Sequence, residues 1–313
     1  MRRALILLLL IFLAACATKK TIELEPFIGG NDGLKASFAD FRKNVFDGGK
    51  DPFDIIVRLD NLGESQIKKE DVEIRIDGIN PLAFGKSEEQ LTKNSPEDIR
   101  AVERAKEAIL TSPPIFTEFN GLNHLTAITG SKLSYPIIAR ICYSYKTKSQ
   151  SKFCIRRNIL NPEEGPCKIE ETKQTYNSGA PVHVENVKET ARGTDKIGIS
   201  FDIKHVGKGT PYDRASKCPD SEKPRNKVFV KIDTNMPGLS CTGMTTTSAG
   251  TAEGTVQLFD GIKTMTCTQT VSKGDFEQPL NILLEYEYED RTQTELIVKH
   301  VGDQTAQEAP QAE

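Results

Sequence analysis

Apolar and polar residues alternate with period two through much of the chain. In VEIRIDG, Val72, Ile74 and Ile76 share one face, while Glu73 and Arg75 share the other. In LNILLEYEYE, Leu280, Ile282, Leu284, Tyr286 and Tyr288 face one way, with Asn281, Glu285 and Glu287 opposite. That period marks half-buried β-strands. Turn residues at Asn61 to Gly63, Asp77-Gly78, Asn120-Gly121 and Asp260-Gly261 punctuate the runs. Short alternating strands in units of about 120 residues predict antiparallel β-sandwiches.

One segment departs from this period. In NSPEDIRAVERAKEAILTSPP, Ser95 suits an N-cap, Pro96 the first turn, and Glu97 and Asp98 the positive end of the dipole. Ile99, Val102, Ala105 and Ile109 fall on one helical face, and Pro113-Pro114 ends the run. The spacing predicts an α-helix inserted over 95–112.

The two halves of the chain also rhyme. Leu59 to Gly63 aligns with Ile203 to Gly207, and Val72 to Asp77 with Val228 to Asp233. Phe119 to Leu122 aligns with Phe259 to Ile262, and Pro136, Tyr143 and Tyr145 with Pro279, Tyr286 and Tyr288. Four blocks in one order point to a tandem duplication. The drift in offset places a second-half insertion around Cys218 and a first-half insertion at the helical segment.

The N-terminus carries different chemistry. Arg2 and Arg3 precede the apolar run Leu5 to Phe12, and the small residues Ala14 and Ala15 lead into Cys16. This is the layout of a secretory signal, too short to favour a spanning helix. Leu13-Ala14-Ala15-Cys16 resembles the lipobox of prokaryotic lipoproteins, which implies diacylglycerol on the Cys16 sulfur and cleavage before it. Membrane lipid, held through acylated Cys16, is then the first expected partner, and the chain is expected to work outside the cytoplasm. The last residues, GDQTAQEAPQAE, have little to bury and read as disordered. The chain divides into a signal peptide 1–15, a lipidated tether 16–32, a sandwich 33–160 with the insert 95–112, a linker 161–180, a second sandwich 181–302 and a tail 303–313.

Export changes the reading of the remaining cysteines, Cys142, Cys154, Cys167, Cys218, Cys241 and Cys267. An even set in an exported chain suggests three disulfides, although six cysteines allow 15 pairings. A polar turn around Lys146 to Ser151 would bring Cys142 to Cys154 across a hairpin. Cys241 and Cys267 bracket second-half strands, which leaves Cys167 to join Cys218 and tether the domains. No CxxC and no histidine at finger spacing supports zinc.

The lipobox, FDIIVRLDNLGES…VEIRIDGI and APVHVENVKETARGTDKIGISFDIKHVGKG together resemble tandem Ig-like repeats of archaeal cell-surface proteins, and the CARDB-type modules of archaeal and bacterial exported proteins. The likeness spans most of residues 33 to 302 and implies a surface module for cohesion, scaffolding or partner docking. The chain departs from antibody-type domains, with no Trp and no evident cysteine pair joining the two layers of a sandwich.

Charge adds little: 41 basic and 44 acidic residues give a net charge of −3, so no global field favours nucleic acid. No GxSxG, HExxH, Walker or Rossmann fingerprint occurs. His183 and Glu185 alternate on one strand and the stripe Glu285, Glu287, Glu289 and Asp290 is acidic, but exposed strand faces explain both, so no metal or other cofactor is expected. A hydrolase would need His124, His183 or His205 beside a Ser or Asp in a cleft. Tyr143, Tyr145, Tyr286 and Tyr288 are core residues or, alternatively, the lining of a ligand surface. The expectation is a non-catalytic, lipid-anchored module that binds a protein partner at the cell envelope. The alternative is a ligand-capturing lipoprotein working with a membrane transporter, for which the insert 95–112 would be the lid.

Overall fold

The computed structural model describes residues 25–301, apart from 107, 161–164, 215, 217, 219–224, 249 and 273. The signal peptide, Cys16 and the tail 303–313 lie outside the described residues. The first half supplies β1 (Leu34–Ala39), β2 (Asn44–Phe46), β3 (Phe53–Asn61), β4 (Val72–Asp77), β5 (Thr92–Asn94), β6 (Glu103–Ala105), β7 (Ala108–Leu110), β8 (Ile115–Leu122) and β9 (Lys132–Ile155). The second supplies β10 (Tyr176–Asn177), β11 (Val182–Ala191), β12 (Lys196–His205), β13 (Thr210–Tyr212), β14 (Lys227–Asp233), β15 (Leu239–Cys241), β16 (Thr245–Ser248), β17 (Thr251–Gln257), β18 (Ile262–Thr270) and β19 (Phe276–Lys299).

The protein is mainly β, as its period-two pattern requires, and its sheets are open and almost wholly antiparallel. Each half has a small front sheet, β1-β3-β8 in the first and β11-β12-β18-β15 in the second. Behind them both runs one shared sheet in the order β16-β17-β14-β19-β9-β4-β5. The two sandwiches therefore have a common back layer, and the inward residues of all three sheets form one continuous apolar core.

The joint between the halves is the β9–β19 pair. Both strands have 24 residues and stay in register from Lys132 opposite Lys299 to Ile155 opposite Phe276. Strands of 3–10 residues are usual. The predicted turn at Lys146 to Ser151 is absent because the alternation continues through it: Lys146, Lys148 and Lys152 point outward, whereas Thr147, Ser149 and Ser151 are buried. Inward hydroxyls are tolerated when bonded. Thr147 Oγ1 donates to Val182 O at 2.7 Å, and Ser151 Oγ to Gln174 O at 2.7 Å.

Strand register supports the duplication. Ile74 pairs with Ile141, and Val230 with Leu284, so the second and fourth sequence blocks coincide in space. The third block does not. Ile55 pairs with Phe119 and Ile199 with Cys267. The structural counterpart of Phe119 is thus Cys267, and the Phe259 block is a tight turn before β18. Along the seam Tyr143 faces Tyr288 and Tyr145 faces Tyr286, while Ser144 faces Glu287. A shift of 143 positions exchanges the two tyrosine pairs and exchanges Ser144 with Glu287, so a local two-fold axis passes through that last pair.

The helix expected over 95–112 does not form. Ile67 and Ile99 exchange both backbone hydrogen bonds, at 3.0 and 2.8 Å, and Val102 N–H donates to Gly63 O at 2.9 Å. Ser95 Oγ donates to Glu97 O instead of capping. Ile99 and Val102 are buried as the helical face required, but strand-like pairing buries them, and Glu103–Leu110 becomes the β6–β7 hairpin. Tertiary pairing overrides a marginal helix propensity here. Two further boundaries shift. Gly29 N–H and Ile28 N–H donate to Glu64, so the tether is docked from Ile28 onward. Residues 169–180 are integrated as well, with Ile169 in the core and β10 paired to β9.

Candidate functional site

The four seam tyrosines are not a ligand surface. Each is at most 2% exposed, and their rings form a chain of edge-on and tilted contacts about the two-fold axis. Burial raises all four phenol pKa values well above the ordinary tyrosine range. Two of their hydroxyls fasten turns. Tyr145 OH donates to Asn61 Oδ1 at 3.2 Å, and Tyr288 OH bonds His205 Nε2 at 2.9 Å. Asn61 and His205 are counterparts in the duplication, as are Gly63 and Gly207. A Cβ at Gly63 would lie 2.1 Å from Tyr145 OH, and one at Gly207 2.3 Å from Tyr288 OH. The repeated Asn/His-x-Gly turn is the seat of a tyrosine hydroxyl.

The outer face of the seam is a ladder of opposite charges. β9 supplies Arg140 and Lys146, and β19 supplies Glu285, Glu287 and Glu289. Lys146 reaches Glu285 at 2.8 Å, Arg140 reaches Glu289 at 3.0 Å, and Ser144 Oγ donates to Glu287 Oε1 at 2.5 Å. Arg140 also holds Asp77 at 2.9 Å, and Arg214 holds Glu285 at 2.6 Å while stacking over Phe229. Burial works against the charge on Glu285, but hydrogen bonds from Lys146 and Arg214 keep its carboxyl below the usual range. Two carboxylates of the acidic stripe thus have cationic partners: Glu289 pairs with Arg140 of the first half, and Glu285 with Lys146 of the first half and Arg214 of the second.

This face also carries the Cys142–Cys218 disulfide. The other two bonds are Cys154–Cys167 and Cys241–Cys267. The last pair is the expected one. The other two expected pairs, Cys142–Cys154 and Cys167–Cys218, are replaced. Because β9 does not fold back at Lys146 to Ser151, Cys142 and Cys154 sit far apart on one strand. Cys154 meets the connection that follows it, and Cys142 meets the inserted loop carrying Cys218. Cys142–Cys218 therefore links the halves. Cys142, Cys218 and Glu287 are the one group of potential ligands close enough to share an ion among the described residues. Both sulfurs are oxidised, so they offer no thiolates.

The histidines have structural partners. His124 bonds Thr126 O and Tyr135 OH and packs edge-on against Phe84. His183 bonds Gly30 O at 3.1 Å, while Glu185 accepts from Lys204 at 3.1 Å, so those two do not converge on a metal. His300 Nδ1 lies 2.7 Å from Asp47 Oδ2, which also accepts from Ile128 N–H.

A cavity of about 530 Å³ opens where β9, β10 and β19 meet the 171–174 segment and Pro26. Its walls include Gln150, Lys152, Lys173, Tyr176 and Glu277. Lys173 is only 8% exposed and reaches Glu171 at 2.9 Å, Glu189 at 3.1 Å and the Lys168 carbonyl. Glu189 is buried, its Oε1 lacks a hydrogen-bond partner, and burial pushes its carboxyl up to about 7 against the pull of Cys154 N–H and Lys173. Sequence reasoning missed this pair: neither residue sits in a motif. The cavity is lined by polar and charged groups, with Lys152 reaching Glu277 at 3.3 Å and Lys173 reaching Glu171 at 2.9 Å. No protein-family model matches the chain, and no curated protein matches its sequence.

Proposed function

We propose that the protein is a non-catalytic, lipid-anchored module of the cell envelope that binds or scaffolds a protein partner. One observation carries the reading: the buried tyrosines and the outer-face charges of β9 and β19 hold the two sandwiches together as a single body. Such a body presents surface at a fixed geometry. Three disulfides indicate an oxidising, extracytoplasmic setting. No helix among the described residues is long and apolar enough to cross a membrane. The lipobox-like Leu13-Ala14-Ala15-Cys16 supports attachment through acylated Cys16. Two or three acyl chains, at about 0.8 kcal/mol per buried CH₂, suffice for stable anchorage.

The test is amine crosslinking on intact producing cells, followed by recovery in detergent and mass spectrometry. A reproducible partner bridged to lysines of the body supports the reading; recovery of the acylated chain alone, at every crosslinker length tried, sinks it. The 530 Å³ cavity favours a second reading, capture of a small polar ligand for a membrane transporter. Native mass spectrometry of protein taken directly from cells decides it: a bound small molecule, lost on changing Lys152 and Tyr176, is its expected outcome.

A further inference from the structure

The β6–β7 hairpin has no packing partner that explains its composition. Among the described residues its strands pair only with each other, Arg104 opposite Ile109 and Glu103 opposite Leu110. Every described side chain from Glu103 to Leu110 is exposed, with Ile109 at 55% and Leu110 at 53%. Two-stranded hairpins are marginal in water, and exposed apolar side chains on one usually mark an interaction site. Because successive strand residues point to opposite faces, Ile109 and Leu110 present apolar surface on both sides of the ribbon. A protein groove would cover one face and leave the other wet. A lipid interface receives both.

The chain's own course says which surface is near. Arg104 Nη2 donates to Phe27 O at 3.2 Å, so the hairpin stands beside the point where the N-terminal segment leaves the body. From Cys16 to Phe27 is 11 residues, at most about 40 Å when fully extended and about 20 Å as a flexible chain. A hairpin of this size, about 10–13 Å along each arm, fits within that reach.

We propose that the β6–β7 hairpin dips into the bilayer to which Cys16 is anchored, with Ile109 and Leu110 in the acyl-chain boundary and Arg104 and Lys106 at the headgroups. This rests on the lipid-anchored reading above. The anchor would thus fix the orientation of the body and not only its distance from the membrane. Glu103 and Glu107 balance Arg104 and Lys106 in charge, so the contact is apolar in origin and tolerates salt.

The chain has no tryptophan, so single substitutions report unambiguously. The acylated full-length variants I109W and L110W are reconstituted into phosphatidylcholine vesicles with or without brominated acyl chains, beside F259W. Phe259 is 70% exposed in the turn before β18, in the second half of the chain. The expected result is blue-shifted emission and at least twofold quenching for I109W and L110W, unchanged in 0.5 M salt, with F259W unaffected. Acylated, vesicle-bound protein whose I109W and L110W emission matches that of F259W overturns the hairpin contact and leaves the anchor standing. Quenching of all three overturns it equally. A chain that mass spectrometry shows to be unacylated, and that does not float with vesicles, removes the anchorage and the hairpin contact together.

Discussion

Glu189 and Asp47 titrate with opposite consequences for stability. Burial raises the Glu189 carboxyl to about 7, so the folded chain takes up a proton more readily than the unfolded one. Its contribution is most favourable below about pH 4.5 and declines as pH rises towards 7, on the order of 2–3 kcal/mol across that window. Glu189→Gln keeps an acceptor for Cys154 N–H and removes the titration. The stability difference between wild type and E189Q, from urea unfolding at a series of pH values, should grow in the variant's favour from pH 4.5 to 7. A constant difference refutes the assignment. Asp47 is held well below the usual carboxylate range, first by the hydrogen bond to His300 and then by the Ile128 and Val301 amides. Its stabilisation is present above the ordinary Asp pKa and lost on acidification below it. Gly63 and Gly207 offer a third residue-scale prediction. Each Gly→Ala change drives a Cβ into a buried tyrosine hydroxyl, at a cost of about 1–3 kcal/mol. Gly63→Ala should be the worse of the two, since Gly179 O also lies 2.2 Å away. The Asn61 and His205 turns were legible in the sequence; the tyrosine hydroxyls that fill them were not, because each lies more than 80 positions away.

At the scale of elements, the disulfides close loops of very different size. Cys154–Cys167 spans 13 positions, Cys241–Cys267 spans 26 and Cys142–Cys218 spans 76. Loop-closure entropy predicts about 3, 3.5 and 4.5 kcal/mol respectively. Thermal unfolding of the three paired Cys→Ser variants should rank in that order. A Cys142/Cys218 variant as stable as wild type would show that the seam alone fixes the halves. Two elements were misjudged from sequence for one reason. The 95–112 segment carries helical spacing and the 146–151 segment carries turn-like composition, yet both are read by neighbours: Ile67 pairs the first, and β19 pairs the second along its full length. Local propensity is a weak prior wherever a long strand offers its edge.

The whole molecule depends on the seam. Residues 16–160 expressed alone would expose the entire β9 edge, with Tyr143 and Tyr145 uncovered on one side of it. Long, unpaired strand edges aggregate. The isolated first half is therefore expected in the insoluble fraction, whereas co-expression with residues 161–313 should recover some of it in solution as a complex. A soluble, cooperatively unfolding first half would mean that the sandwiches are independent after all. Pairing between unlike halves also has an electrostatic reason: the duplicates have diverged so that β9 is basic on its outer face and β19 acidic.

The sequence by itself determined the strand class, the repeated turns and the cysteines available for pairing, because period-two burial and turn residues are local properties written within short windows. It also carried the apolar run Leu5 to Phe12 before Cys16, from which the export signal is proposed and which needs no fold to be recognised. Only the tertiary structure decided that two sandwiches share one back sheet, which cysteine meets which, and that four tyrosines seal the joint. Those depend on the register of β9 against β19, set by residues more than 100 positions apart through complementary charge and hydrogen-bonded hydroxyls. The same is true of the hairpin, where pairing of Ile67 with Ile99 displaces the helical spacing and Ile109 and Leu110 are left exposed on a ribbon held at Phe27.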